Sequence, residues 1–197
     1  MKNLIIFASL FAMVLTLAAQ TYFRPQTYAL LNHQADSASV NVLSTIFAGN
    51  VSKKHPNVGW NAFALLNQRA RFAEVLFGPT YVRPHLQVGI MLGVETGITM
   101  WRASPWIYAE SKSGRLAMFA AGEYGASGYW FTAEAKASVL KPESKTSLKL
   151  VAMARRFHGV GPRIDVSRGA LTIFAAPFLW DWQRGGSNCM FGINAKF

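Results

Sequence analysis

The sequence is short of acidic residues, of cysteine and of long apolar segments. Asp and Glu number nine against twenty Lys and Arg, and charged residues make up only 15% of the 197 positions. An ordinary soluble domain carries about 25% charged residues, so the deficit disfavours a freely soluble surface. An apolar content of 51% disfavours disorder. The one cysteine, Cys189, excludes an internal disulfide.

Only the N-terminal part of the chain contains a long apolar run. Lys2 precedes a stretch from Leu4 to Ala19 that is apolar apart from one Ser and one Thr, and that ends in small residues. This layout is typical of a secretory signal peptide, whereas a membrane-spanning helix needs about 20 apolar residues. We therefore predict a signal peptide over residues 1–19, with an uncleaved anchor as the alternative. Any membrane insertion of the remaining chain must use strands.

Apolar and polar residues alternate with a period of two from about residue 37 onward. The clearest run extends from Tyr129 to Leu140, where the odd positions are apolar and the even ones include Thr132, Glu134 and Lys136. This pattern predicts strands with one apolar face, because a helix would scatter both sets around its circumference. Weaker versions of the pattern cover residues 71–77, 87–97, 101–110, 115–124, 147–155 and the C terminus, while 171–180 is apolar on both faces.

The length of these runs favours a membrane barrel. Turn-forming residues separate runs of about ten residues, which suits strands that cross a bilayer at a tilt. We predict an all-β, antiparallel, up-and-down transmembrane β-barrel of eight strands over residues 37–197, or of ten if residues 38–47 and 58–66 are also strands. Residues 20–36 are predicted to be a periplasmic N-terminal segment, and residues 157–169 the longest late connection.

The face opposite the apolar one carries ionisable residues of both signs. In a narrow transmembrane barrel this face lines the lumen, where buried charges require partners of opposite sign. In a soluble sheet the same residues would be solvated and the apolar face would point into a core. The predicted lumen-facing residues are Glu95, Arg102, Glu110, Glu123, Glu134, Lys136, Lys149 and Arg155.

The end of the chain carries a more specific pattern. The last eight residues resemble the C-terminal assembly signal of outer-membrane β-barrel proteins, in which a polar residue, a glycine, an apolar residue and a terminal aromatic residue hold fixed positions. Gly192, Ala195 and Phe197 match it, whereas Met190 stands where the polar residue is usual. Aromatic residues also cluster near the predicted strand ends, as in interfacial girdles. The resemblance implies a Gram-negative outer membrane and its assembly machinery, with no named subfamily.

The sequence contains no arrangement typical of a catalytic or metal site. Some small barrels of this class modify lipid A or phospholipids with a His and a Ser, but none of the four histidines shares a strand face with a suitable serine. His158, at a strand end, is the histidine we would substitute to test such an activity. There is no His-x-x-His, no cysteine pair and no carboxylate-dense loop. We therefore predict no catalytic residue, no metal and no cofactor.

The excess of positive charge indicates the class of partner. It favours contact with anionic lipid headgroups and lipopolysaccharide phosphates. Nucleic acid is not predicted, because the basic residues are scattered and no run of five or six occurs. The sequence favours a structural, binding or narrow-conduit protein of the cell envelope. A lipid A or phospholipid-modifying enzyme, and a soluble periplasmic β-barrel or sandwich that binds an apolar ligand, are the alternatives.

Overall fold

The chain forms a closed β-barrel in a computed structural model that describes residues 22–34, 37–52, 54–67, 69–96, 101–140, 146–183 and 185–197. Its twelve strands are β1 (Tyr22–Gln34), β2 (Ser37–Val51), β3 (Val58–Asn67), β4 (Phe72–Arg83), β5 (Leu86–Glu95), β6 (Trp101–Glu110), β7 (Leu116–Gly125), β8 (Gly128–Ser138), β9 (Thr146–Arg155), β10 (Gly159–Arg168), β11 (Leu171–Trp180) and β12 (Ser187–Ala195). Every strand is antiparallel to its neighbours in sequence. The predicted signal peptide lies outside the described residues and stays a prediction.

The first and last strands close the barrel. β1 pairs with β12, and beyond that register Phe23 and Phe197 exchange two backbone hydrogen bonds of 3.0 Å each. Their rings lie 6.5 Å apart between centroids. We call the end of the barrel where β1 begins and β12 ends the N/C end, and the opposite end, where β1 ends at Gln34, the far end. Closure leaves no unpaired strand edge, as a bilayer interior requires.

Side chains alternate between the outside and the inside of the barrel along each strand. On β9, Leu150 is 52% exposed on the outside, whereas its neighbour Val151 is 2% exposed on the inside. The register between β8 and β9 places Glu134 beside Met153 and therefore keeps inward residues together. The period-two pattern of the sequence thus separates two surfaces of different chemistry.

The outer surface is apolar, with aromatic residues near both ends. Trp101 and Tyr124 lie 5.7 Å apart between ring centroids near the far end. Aromatic girdles of this kind flank the apolar band of transmembrane barrels. Within the described residues, no helix is long and apolar enough to cross a membrane. Exposed apolar side chains between the girdles include Ile90, Leu92, Ile107, Met118, Leu150, Ile164, Ile173 and Ile193.

The predicted strand number of eight or ten is wrong, because the barrel has twelve strands. Tyr22–Gln34, which the sequence analysis assigned to a periplasmic segment over residues 20–36, forms β1. Gly159–Arg168, inside the segment interpreted as a connection, forms β10. The two optional segments are also strands, β2 and β3. Both missed strands contain proline and charged residues, which are typical of connections.

The physical reason for the error is visible in β10. Its outward positions are apolar and include Ile164 and Val166, while its inward positions include Arg163 and Asp165. These two charges pair with each other inside the barrel. A strand can therefore carry them at low cost, because the lumen supplies the partners that an isolated segment lacks.

The lumen is partly filled by apolar side chains. Phe47 on β2 and Trp106 on β6 meet edge to face with 6.1 Å between ring centroids, although three strands separate β2 from β6 around the barrel wall. A second inward cluster joins Tyr28, Leu30 and Phe174 with residues of β2 and β9. The interior is therefore narrowed by contacts that bridge across the barrel.

Candidate functional site

The structure places the eight predicted lumen residues at inward positions of β5 to β9. They differ in depth. Glu110 is exposed at the N/C end, and Lys136 and Lys149 are half-buried. The remaining members of the set are buried inside the barrel, and these are Glu95, Arg102, Glu123, Glu134 and Arg155.

The first charged cluster is centred on Arg102, near the far end of β6. Its Nε lies 2.9 Å from Glu74 Oε2 and 3.0 Å from Glu123 Oε2, and its Nη1 contacts Glu95. Nη1 also donates a hydrogen bond of 2.7 Å to Ser127 Oγ in the β7–β8 turn. We call these five residues the Arg102 cluster. One guanidinium thus holds three carboxylates that come from three different strands.

Ser127 completes this cluster. Its backbone N–H donates to Glu95 Oε1 and its hydroxyl donates to Glu95 Oε2, both at 2.8 Å. Because Ser127 Oγ also accepts from Arg102, the hydroxyl uses both of its hydrogen-bonding functions. The turn is therefore fixed to the wall of β5 and β6, and the Glu95 carboxylate is fully engaged.

The second charged cluster is centred on Glu134, at mid-strand on β8. Lys136 Nζ lies 2.9 Å from Glu134 Oε2, and Arg155 Nη2 lies 3.2 Å from Oε1. Arg163 donates to both carboxylate oxygens of Glu134, at 2.8 and 3.2 Å, and to both of Asp165, at 2.7 and 3.0 Å. We call these five residues the Glu134 cluster. It holds three cations and two anions, the reverse of the balance in the Arg102 cluster.

A hydrogen-bond chain extends the Glu134 cluster across the lumen. Arg155 Nη1 donates to Tyr28 Oη on β1 at 3.3 Å, and Tyr28 Oη lies 3.3 Å from His158 Nε2. His158 Nδ1 lies 3.1 Å from the carbonyl oxygen of Arg156. A carbonyl only accepts, so Nδ1 carries the proton and Nε2 accepts from the tyrosine hydroxyl. The imidazole is thus neutral.

The surroundings of His158 keep it neutral. His158 lies in the β9–β10 turn, and its backbone carbonyl accepts a hydrogen bond of 2.7 Å from Asn188. Burial, assisted by the positive charge of Arg155, lowers the pKa of His158 from 6.5 to about 3. Both ring nitrogens are engaged by Tyr28 and by a backbone carbonyl, so the ring has no free position for a catalytic proton transfer. The geometry is that of a structural histidine.

No metal-ligand geometry occurs within the described ranges. No group of three or more His, Cys, Asp or Glu side chains in that part of the chain could hold a metal ion. Cys189 lies on β12, on the outer side, and its thiol donates to the carbonyl of Pro177 at 2.8 Å. Neither observation adds a reactive group to the lumen.

The three residues that match the assembly signal lie on different faces of the barrel wall. Ala195 and Phe197 are on the outer face, and Phe197 is 73% exposed. Gly192 points inward, where an added Cβ would overlap the ring of Phe174 and approach Tyr28 Cβ. This glycine therefore makes room for two buried aromatic rings that lie 6.4 Å apart.

Four residues of the charged clusters were not among the predicted lumen residues: Glu74, Ser127, Arg163 and Asp165. Glu74 lies on the polar side of the alternation in β4, so the pattern that identified Glu95 could have identified it as well. Arg163 and Asp165 alternate with Val160, Pro162, Ile164 and Val166, which is the same signal in a segment rich in glycine. No local signal identifies Ser127, because its partners lie on other strands.

Comparison with known proteins supports the fold alone. No family model matches the chain, and no curated protein sequence matches it. A structure from a study of the in-meso crystallization of membrane proteins is 8% identical, with coverage of 90% of this chain and 83% of that chain and a TM-score of 0.57. KdgM porin in complex with disordered oligogalacturonate is 10% identical, with coverage of 90% and 99% and a TM-score of 0.51.

The likeness and the geometry agree on architecture. The outer face is apolar with aromatic girdles, the inner face carries ionisable groups in pairs, and the barrel is closed. These are the features of transmembrane barrels rather than of soluble sheets. The chain is therefore a twelve-stranded β-barrel with the fold of outer-membrane porins.

Proposed function

We propose that the chain is a narrow conduit for small hydrophilic solutes across the bacterial outer membrane. The observation that carries this proposal is the pair of ionisable clusters on separate walls of one lumen. The Arg102 cluster lies on β4–β7, with an excess of carboxylates, and the Glu134 cluster lies on β8–β10, with an excess of cations. Such walls give a transverse field that orients and passes polar solutes.

Unpaired polar atoms in the lumen support a hydrated path. Among the described residues, Ser104 Oγ and Trp106 Nε1 are buried and have no hydrogen-bond partner within the protein. Both residues occupy inward positions of β6. Buried polar groups are normally satisfied, and a lumen that holds water or solute would satisfy these two.

The narrowness of the conduit follows from the contacts that cross the lumen. Trp106 meets Phe47, and Tyr28 meets both Arg155 and His158, at distances of direct contact. Twelve strands alone would leave a wider opening if the inward side chains were small. We expect these two bridges to limit conductance.

Planar-bilayer recording of the full chain, refolded without its predicted leader, tests the proposal. Native protein should give small, discrete current steps, and Trp106→Ala should enlarge them because it removes the bridge to Phe47. Phe77→Ala removes an aromatic ring of the outer face and is the matched control, which should leave the steps unchanged. Absence of current from both native protein and Trp106→Ala, with folding verified by heat-modifiable migration on a denaturing gel, would overturn the conduit.

We also propose the partners of the folding and resting states. Outer-membrane lipid and lipopolysaccharide would surround the apolar belt, and the assembly machinery would read the C-terminal strand through Gly192, Ala195 and Phe197. The outward position of the Phe197 ring supports this reading. Phe197→Ser should lower the amount of folded protein in the outer membrane while the refolded protein keeps its conductance. A normal outer-membrane level would contradict the proposal.

A further inference from the structure

The lumen opening at the N/C end places two cations directly opposite each other. Phe23 and Phe197 exchange both backbone hydrogen bonds, so the next residues inward from each, Arg24 and Lys196, form the adjacent cross-strand pair. Both alternate with outward neighbours and continue the inward face that holds Tyr28 and Gly192. Directly opposed side chains lie about 5 Å apart at Cβ, and like charges there are destabilising.

A third cation faces the same opening. Lys149, near the N/C end of β9, is half-buried and lies within electrostatic range of Arg24, Lys136 and Lys196. Its cross-strand neighbour is Asp165, whose two carboxylate oxygens are taken by Arg163. Lys149 is thus close to a carboxylate that another cation already holds.

The other carboxylates near this opening are also engaged. Glu134 Oε2 accepts from Lys136 and Arg163, and Glu110 Oε2 accepts a hydrogen bond of 2.7 Å from Tyr108. In the described part of the chain, none of Arg24, Lys149 and Lys196 forms an ion pair with an Asp or Glu. The opening therefore concentrates positive charge without matching negative charge.

We propose that Arg24, Lys149 and Lys196 form a binding site for a small multivalent oxyanion, carrying carboxylate or phosphate groups, inside the lumen mouth at the N/C end. The proposal rests on the proposed conduit and assigns it a solute class. One guanidinium supplies a flat fork of donors and two ammonium groups supply point charges, the combination that oxyanions accept. An anion bound there would also relieve the repulsion between Arg24 and Lys196.

The position of the three cations favours a dissolved anion over a lipid headgroup. All three lie on the inward face, whereas a headgroup would meet residues on the outer rim of the barrel. Binding in detergent without lipid separates these two sources. Lys54 and Lys112 lie in exposed connections at the same end and offer a matched change of charge outside the lumen.

Titration calorimetry of the refolded full chain with inorganic pyrophosphate, at low ionic strength, tests the site. Native protein should bind, and Arg24→Gln with Lys149→Gln should weaken binding by about tenfold or more, the effect of losing one charge-assisted contact. Lys54→Gln with Lys112→Gln should change affinity by less than about twofold, since distant exposed charges are screened. Lys196→Gln alone, whose folding is checked by heat-modifiable migration, should weaken binding in the same direction.

The outcomes separate this site from the conduit. No binding to native protein, or equal losses in the lumen and the connection variants, would overturn the site even if the protein conducts. Binding that depends on Arg24 and Lys149 in a protein that carries no current would support the site and overturn the conduit. Pyrophosphate block of the native current that disappears in Arg24→Gln with Lys149→Gln would support both.

Discussion

Arg163 on β10 reaches over β9 to grip Glu134 on β8, with hydrogen bonds of 2.8 and 3.2 Å to its two carboxylate oxygens. The same guanidinium holds Asp165 on its own strand. Bidentate pairs of this kind are the strong ones among ionic hydrogen bonds. They let a segment with glycine, proline and two charges serve as a membrane-spanning strand.

Removal of the Glu134 charge should destabilise the barrel strongly. Glu134→Gln leaves Arg155, Arg163 and Lys136 without their shared carboxylate, and breaking a buried pair costs about 3 to 5 kcal/mol. Urea unfolding in micelles, followed by tryptophan fluorescence, measures the loss. Glu110→Gln, at an exposed site, should cost less than about 1 kcal/mol. Equal effects of the two substitutions would show that the Glu134 cluster adds no stability.

The Arg102 cluster should respond to the balance of charge rather than to the presence of one residue. Arg102→Gln leaves three buried carboxylates without a cation, so we expect little folded protein. Adding Glu74→Gln and Glu123→Gln to that variant removes two of the stranded carboxylates and should restore part of the folded fraction. Heat-modifiable migration on a denaturing gel measures this fraction. A triple variant that folds no better than Arg102→Gln would contradict the electrostatic account.

Gly192 should be needed for packing, independently of any role in assembly. Gly192→Ala places a methyl group against Phe174, so spontaneous refolding in detergent, without cellular machinery, should fall. Phe174→Leu in the same chain should restore it by making room. Gly122→Ala is the control, because an added Cβ at Gly122 meets nothing within 4 Å. If Gly192→Ala refolds as well as the native chain, Gly192 serves assembly alone.

His158 should make stability depend on pH. Its pKa is lowered from 6.5 to about 3 in the folded barrel, so the folded state binds fewer protons than the unfolded chain. Its contribution is complete above about pH 6.5 and is lost progressively as the pH falls toward 3. The difference in melting temperature between native protein and His158→Gln should therefore shrink between pH 7.5 and pH 5. A difference that does not change with pH would contradict the neutral tautomer.

The alternation of residues predicts a barrel well where both faces are chemically distinct. In β8 the outward Ala133 and Ala135 and the inward Glu134 and Lys136 reveal strand, faces and lumen from the sequence alone. The charged clusters could be predicted only as a set of lumen-facing residues. Which cation meets which carboxylate depends on register and on partners two strands away, and neither is encoded locally.

The strand count was harder to predict, because it depends on segments whose inward residues look like those of a loop. β1 carries Arg24, Pro25 and Gln26, and β10 carries Pro162, Arg163 and Asp165. Their polar residues are tolerated because the lumen provides counter-charges from other strands. The apolar bridges inside the lumen were also missed. Phe47 and Trp106 carry no pattern that distinguishes an inward aromatic residue from an outward one.

The direction in which the alternating side chains point is the claim on which the account depends. Single cysteines at Leu150 and Lys149, introduced into Cys189→Ser and carrying a nitroxide label, test it directly in lipid vesicles. The account predicts that the label at position 150 collides with dissolved oxygen far more than with a water-soluble nickel chelate, and that the label at position 149 does not. A label at position 150 that is shielded from oxygen, with one at position 149 freely exposed to bulk water, would contradict the barrel's placement in a membrane.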